Sequence, residues 1–381
     1  MNRRLTLATF AALAAISLAA PTRAQLSPGP PDEPDTPIDA GTKSAVIESL
    51  AVAVKDRYVF AEKGAELARI LRRRHANHEY DRISSSMEFA DSLLAHVQAY
   101  THDLHMRVHY RHQPIPPPPA DRRGPGEDEL RRRREGERMR NFGFERVQRL
   151  AGNVGYLDLR QFSGLSDAHA TAVAAMNFLA NSDAVIIDVR RNGGGDPDLL
   201  QTVLTYFVAP GERLHINDFY QREGDRTVQF WSAAQVPGPR LNGRPLYVLT
   251  SGNTGSCAEE FAYDVQTHKL GKLYGATTAG AANPGGFFRL SEHLAAFIAT
   301  GRAVNPITKT NWEGVGVKPD VDVPPADALR EAHVAALNAL LESAKDDEQQ
   351  ALLGRALERA KAAPSEPAED FARAGRRKLG G

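Results

Sequence analysis

Along this chain the period of apolar and polar positions changes from one region to the next. From about Lys43 to Tyr100 apolar residues recur at helical spacing. Val46, Leu50, Val54 and Tyr58 form one stripe, and Ala65, Leu67, Ile70 and Leu71 continue another. Ser84-Ser85-Ser86 then supplies a cap ahead of Phe89, Leu93, Leu94 and Val97. Such stripes predict amphipathic helices, and serine just before an apolar stripe is a start signal. RVHYRH, from Arg107, alternates like a strand. From Asn153 the pattern becomes an alternation of strands and helices. VGYLDL (154–159), AVIIDV (184–189) and PLYVLT (245–250) read as strands, and 168–179, 199–207 and 258–266 as helices. Apolar strands separated by helices predict an α/β sheet covered on both faces. Two helical stretches follow Val323 and lead into a polar, charged tail expected to be mobile.

Between these regions lie segments with little to bury. Residues 25–37 (QLSPGPPDEPDTP) read as a Pro/Asp linker. Residues 113–119 carry a tetraproline that stiffens a polyproline segment, and Arg131 to Arg134 belong to a solvated helical stretch with acidic neighbours. The N-terminus reads as an export signal: Arg3 and Arg4, an apolar run at 5–20, then Thr22-Arg23-Ala24 for a signal peptidase. That run is short for a membrane span, and no cysteine follows it to carry a lipid. The expected organisation is a signal peptide (1–24), a disordered linker (25–40), a helical N-terminal domain (41–110), a Pro/Arg-rich linker (111–140), a core (141–325) and a helical C-terminal tail (326–381). The expected location is the periplasm or the extracellular space.

Composition narrows the function classes. The 47 Lys+Arg balance 47 Asp+Glu in 381 residues. A neutral chain is a poor fit to a protein whose task is to grip nucleic acid or anionic membrane. The single cysteine, Cys257, excludes an internal disulfide framework and a Cys-based zinc knuckle.

Three places carry chemical information. In LTSGNTGSCAEEF, from Leu249, Ser256 falls where a buried strand turns into a helix. A serine there can present its hydroxyl near the positive end of the helix. Ser256-x-x-Glu259 is equally a capping box, in which the hydroxyl only caps. Neither G-x-S-x-G nor S-x-x-K is matched, because Thr254, Ala258 and Glu259 occupy the decisive positions. In DVRRNGGGDPD, from Asp188, three glycines can bring bare N–H groups to a developing anion or can simply make a flexible turn. Asp196 and Asp198 oppose a phosphate there. Third, His102, His105, His109 and His112 crowd into 11 residues. On an extended segment His105 and His109 share one face and the other two take the opposite face, a poor metal arrangement; one of them could instead be a general base, though histidines merely packed or on the surface are the commonest outcome.

Taken together, HDLHMRV (from His102), NFGFERVQRLAGNVGYLDLRQF (from Asn141), VIIDVRRNGGG (from Val185), YVLTSGNTGSCAEEFAY (from Tyr247), GATTAG (from Gly275) and NWEGVGVKPDVDV (from Asn311) occur in the order of a known family. The chain resembles the C-terminal processing (tail-specific) peptidases, family 41 of the serine peptidases. It is most similar to the branch of interphotoreceptor retinoid-binding protein and the tricorn protease core, and the likeness covers roughly residues 41–325. The resemblance implies a crotonase-like βα core with Ser256 as nucleophile, His105 as general base and Glu313 as the acid orienting it. It also implies an oxyanion hole from the N–H groups of Gly194, or its glycine neighbour, and Cys257. Asp103 is a candidate partner behind the base. Two departures from the family pattern stand out. Ala281 sits where the Ser–Lys members carry their lysine, and the stretch at 111–140 is too short for a PDZ domain.

The expectation is therefore an exported serine peptidase acting on extended or unfolded polypeptide. It would use no cofactor or metal, bind no nucleic acid and insert in no membrane. The alternative is a non-catalytic binder of a hydrophobic ligand on the same fold.

Overall fold

The computed structural model describes residues 33–117 and 126–371. The expected signal peptide, linker residues 25–32, residues 118–125 and residues 372–381 lie outside the described residues. Three helices come first: α1 (Ala40–Arg57), α2 (Ala61–Ala76) and α3 (Ser86–Thr101). Their start signals are physical. Asp39 accepts the N–H of Thr42, and Ser85 accepts that of Glu88, so each side chain satisfies an orphan donor of the first turn. Strand β1 (Arg107–Tyr110) follows, then the exposed, Arg-rich α4 (Glu127–Met139).

The βα region runs β2 (Phe144–Leu150), β3 (Val154–Leu159), α5 (Asp167–Phe178), β4 (Ala184–Asp188), α6 (Pro197–Thr205), β5 (His215–Gln221), β6 (Arg226–Trp231), β7 (Leu246–Thr250), α7 (Cys257–Thr267) and β8 (Lys272–Gly275). Then come β9 (Gly285–Arg289), β10 (Leu294–Ala299), β11 (Gly301–Val304), β12 (Val321–Asp322), α8 (Ala328–Glu342) and α9 (Asp347–Lys361). The central sheet has six strands in the order β12-β8-β7-β4-β3-β2, parallel except for β2. Strand period two divides its side chains between two cores. Val185, Ile187 and Val248 pack with α5, α6 and α7. Ala184, Ile186 and Leu249 face Ala328, Ala332, Ala336 and Leu337 of α8, which α9 backs with Leu353 and Leu357. The fold is thus mixed α/β, with a helical N-terminal region and both faces of the central sheet covered.

Two antiparallel three-stranded sheets, β1-β10-β9 and β11-β5-β6, stand beside it. Apart from β1, their strands escape the sequence pattern because β5 and β6 are half-exposed and β9 opens on two glycines. The helical region is not a closed unit: α1, α2 and α3 share one apolar cluster with Leu290, Leu294, Ala296 and Ile298. One expectation is corrected. Residues 34–38 are not a free linker, since Ile38 is buried, Pro37 bridges Ser85 and the carbonyl of Pro34 accepts the Tyr110 hydroxyl. After residue 326 come the two helices α8 and α9, with α8 closing one face of the sheet, and beyond them the carbonyl of Phe371 accepts from Asn253 Nδ2 at 3.1 Å.

At the end of β4, Asp188 and Arg190 form a fully buried pair at 2.9 and 2.6 Å. The Tyr156 hydroxyl also donates to Asp188, and Glu366 and the Pro325 carbonyl take the rest of the guanidinium. Burial alone pushes the Asp188 carboxyl up, but its bonds to Arg190 outweigh that and hold it below the usual range. A depressed native value contributes stability above the unfolded pKa and loses it as pH falls through the native one. Asp188→Asn is therefore expected to cost about 3–5 kcal/mol in urea unfolding at pH 7. The gap to wild type should shrink below about pH 4; a pH-independent gap would contradict this account.

Candidate active site

The turn after β7 ends on Ser256, the N-cap of α7. Its backbone sits at φ 53°, ψ −123°, a region a non-glycine residue occupies at a cost of about 1–3 kcal/mol. Side chains within the turn hold it there. The Ser251 hydroxyl donates to the Arg190 carbonyl at 2.5 Å, and Thr254 Oγ1 donates to the Val189 carbonyl at 2.8 Å. The Gly255 N–H reaches the Asn192 carbonyl. Every one of these acceptors lies on the stretch leading out of β4, so the serine turn is stitched to the glycine turn.

The contact is close. A methyl group placed on Gly194, whose φ is +111°, would lie 2.7 Å from Ser256 Cβ and 3.0 Å from Cys257 N. Asn192 is buried and shapes this turn: its Nδ2 donates to the Leu159 carbonyl, and its Oδ1 accepts the Gly194 N–H at 2.8 Å. The Gly194 N–H is therefore already engaged. Those of Gly193, which is exposed, and of Cys257, the first residue of α7, find no acceptor among the described residues. Cys257 itself is buried, which pushes its thiol well up and keeps it a neutral filler.

The second group of residues gathers around His105, which lies between α3 and β1. Its Nδ1 is 4.0 Å from Glu313 Oε2 and makes no hydrogen bond, and its ring stacks on Phe297 of β10. Its backbone N–H donates to Asp103 Oδ1 at 3.0 Å. Asp103 Oδ2 accepts from Tyr58 and Asn283. Burial, then the charge of Glu313, push the Asp103 carboxyl up from its usual value. Burial would do the same to Glu313, but His105 and the N–H groups of Ala282 and Leu104 outweigh it and hold Glu313 low. Of the two carboxyls, Asp103 is thus pushed up and Glu313 held down. Of the other histidines, His102 takes a left-handed cap on α3 and His112 is exposed. His109 lies against Phe287, its pKa lowered to about 4 by burial and by Arg107 and Arg111.

Asp103, His105 and Glu313 offer donor atoms within 4.8 Å of one another. Glu313 Oε2 and Asp103 Oδ2 each already accept two hydrogen bonds, which leaves little lone-pair capacity for a metal. A small pocket of about 170 Å³ opens against Glu313 and Asn283, lined also by Phe60, Arg302 and Lys309. A larger groove of about 780 Å³ along α1 contains none of these residues.

One short stretch joins the two groups. The N–H groups of Gly280 and Ala281 donate to Glu259, on the first turn of α7, and those of Ala282 and Asn283 donate to Glu313. Sequence reading found Glu259 only as a capping residue. That half of the capping box is made, since Glu259 accepts the Ser256 N–H at 2.8 Å. The further reach of its carboxylate to residues 278–281 has no signature in local sequence. Trp312, buried beside Glu313, is a packing residue whose Nε1 donates to the Ala281 carbonyl.

A model described as Peptidase family S41 matches residues 153–323. A second, described as the N-terminal domain of Peptidase_S41 in eukaryotic IRBP, matches residues 41–130. Among solved structures, a Parabacteroides merdae protein assigned as a peptidase is similar at 18% identity over 80% of this chain and 99% of its own, with a TM-score of 0.55. A lipoprotein from Streptococcus agalactiae is similar at 15% identity, over 80% and 98%, with a TM-score of 0.51. These two likenesses concern the fold. A photosystem II D1 C-terminal processing protease matches at 24% identity and a TM-score of 0.37; the match spans 45% of this chain and less than half, 42%, of that one.

The packing of the two turns is directly testable. Gly194→Ala is expected to lose about 2 kcal/mol or more in urea unfolding, from overpacking and the positive φ together. Gly193→Ala, with open space around the added methyl, should stay within about 0.5 kcal/mol of wild type. Equal effects at the two positions would show that the turns are not in contact.

Proposed function

The chain belongs to peptidase family S41, a family of serine peptidases, and from that premise we propose that it hydrolyses peptide bonds through an acyl-enzyme at Ser256. The observation that carries the proposal is the strained serine at the head of α7, packed on a glycine turn and tied through residues 280–283 to the carboxylate beside His105. In this reading His105 removes the Ser256 hydroxyl proton as oxygen attacks the carbonyl carbon. It then gives that proton to the leaving amine, and water releases the acyl group by the reverse use of the same base. Nδ1 faces Glu313, which leaves Nε2 for the serine. Glu313 stays ionised and so can steady the imidazolium.

For the oxyanion we assign the N–H of Cys257 and that of Gly193, the neighbour of Gly194. Gly194 serves by letting the backbone approach, because its own N–H is held by Asn192. A donor of this kind contributes about 3 kcal/mol to the barrier. The substrate is an extended or unfolded polypeptide, since a chain must enter a cleft to reach a serine on a turn. Export belongs to the same proposal; among the described residues no helix is long and apolar enough to cross a membrane.

Acylation of the mature protein by a fluorophosphonate probe tests the assignment. Labelling should vanish in Ser256→Ala, fall to background in His105→Ala, and slow by about 10³–10⁴-fold in Glu313→Gln. Folded wild type that takes no label would overturn the peptidase reading and turn attention to ligand binding. Label surviving His105→Ala but not Ser256→Ala would overturn the choice of base.

A further inference from the structure

The carboxylate of Glu259 has more partners than a helix cap needs. It is fully buried. Oε2 accepts the Ser256 N–H at 2.8 Å and the Ala281 N–H at 2.9 Å, and Oε1 accepts the Thr278 hydroxyl and the Gly280 N–H at 2.6 Å each. Among the described residues no cation reaches it, and burial pushes the carboxyl up against the pull of its four donors, so it is satisfied by hydrogen bonds alone, an arrangement that is strong when complete and costly when one partner is lost. The next two N–H groups along the same stretch, those of Ala282 and Asn283, belong to Glu313. Glu313 in turn accepts the Leu104 N–H at 3.1 Å, one residue before His105.

We propose that Glu259 is a positioning residue for catalysis, fixing the nucleophile turn and the His105–Glu313 pair in one frame through residues 278–283. The proposal rests on Ser256 and His105 being nucleophile and base. It goes beyond that reading by giving one side chain control over their mutual placement. Capping and catalysis are then no longer alternatives at this position. The side chain that completes the capping box also holds the strand of backbone on which Glu313 is seated. Each Glu259 oxygen faces two donors, so glutamine in either orientation would aim its amide N–H groups at two N–H or O–H donors.

The test uses the whole protein as Glu259→Gln. Two readouts are needed: the fluorophosphonate acylation rate per folded molecule, and amide hydrogen exchange by mass spectrometry. The rate is expected to fall by about 100-fold, the scale of a misplacement near 1 Å. Exchange is expected to quicken by about tenfold or more not only at 256–260 and 278–281 but also at 282–283 and at Leu104, which Glu259 does not touch. A purely local cap would confine the change to the first two segments and leave the acylation rate of folded protein unchanged, and that result would overturn the proposal. If Glu259→Gln does not fold, Thr278→Val removes one of the four bonds. It should slow acylation about tenfold with the same distant exchange signature, while Thr278→Ser, which keeps the hydroxyl, should restore both. Wild type that does not acylate would sink the assignment of Ser256 and His105, and the exchange pattern at Leu104 would still decide the role of Glu259.

Discussion

Two carboxylates, the buried Glu259 and the half-buried Glu313, divide between them the backbone donors of one short stretch. Gly280 and Ala281 give their N–H groups to Glu259, and Ala282 and Asn283 give theirs to Glu313. The donors just before them are also committed, Thr278 to the Val317 carbonyl and Ala279 to the Thr254 carbonyl. A buried carboxylate must be surrounded by donors or it loses its charge. Backbone N–H groups are the stiffest donors a chain has, because moving them means moving the chain. The stretch therefore behaves as a ruler with the serine turn on one side and the proposed base on the other. Ala281, at the position where some family members carry lysine, contributes only main-chain atoms here.

The sheet explains why the two turns meet. β4 and β7 are parallel neighbours, paired from Val185 with Leu246 to Asp188 with Leu249, so the turns leaving their C-terminal ends emerge side by side. Ligand and reaction sites in parallel sheets gather at that end of the strands for the same geometric reason. The strain at Ser256 is sustained by what surrounds it: Ser251 and Thr254 bond back to the carbonyls of residues 189 and 190. Those carbonyls are fixed by the Asp188–Arg190 pair and by the C-terminal segment, whose Phe371 ring lies 4.3 Å from the Arg190 guanidinium carbon. Stability elements of the far face thus end within a few residues of the turn that carries Ser256.

His105 arrives by another route. It sits just past α3 and just before β1, and β1 is carried on β10, so the ring rests against Phe297. The helical region shares one apolar cluster with β9 and β10, and this makes the placement of His105 a matter of tertiary packing. Its Nδ1 stands 4.0 Å from Glu313 Oε2, close enough for the two charges to interact without a hydrogen bond.

Much of this was written locally. The apolar runs of β3, β4 and β7 and the helices between them follow from period and length, because a parallel strand covered on both faces reads as a nearly continuous apolar run. The serine at a strand-to-helix step, the triple glycine and the histidine cluster each advertised chemistry, but each also carried a bland local reading: a cap, a flexible turn, histidines merely packed or on the surface. Local sequence could not choose, since its information reaches only a few residues. The fold alone brought Gly194 against Ser256 and set His105 beside Glu313, 208 positions away along the chain. It decided that the Gly194 N–H would go to Asn192 and that Glu259 would hold four donors instead of one. Hydrogen bonds depend on distances of a few tenths of an ångström, and such distances exist only once the chain is packed.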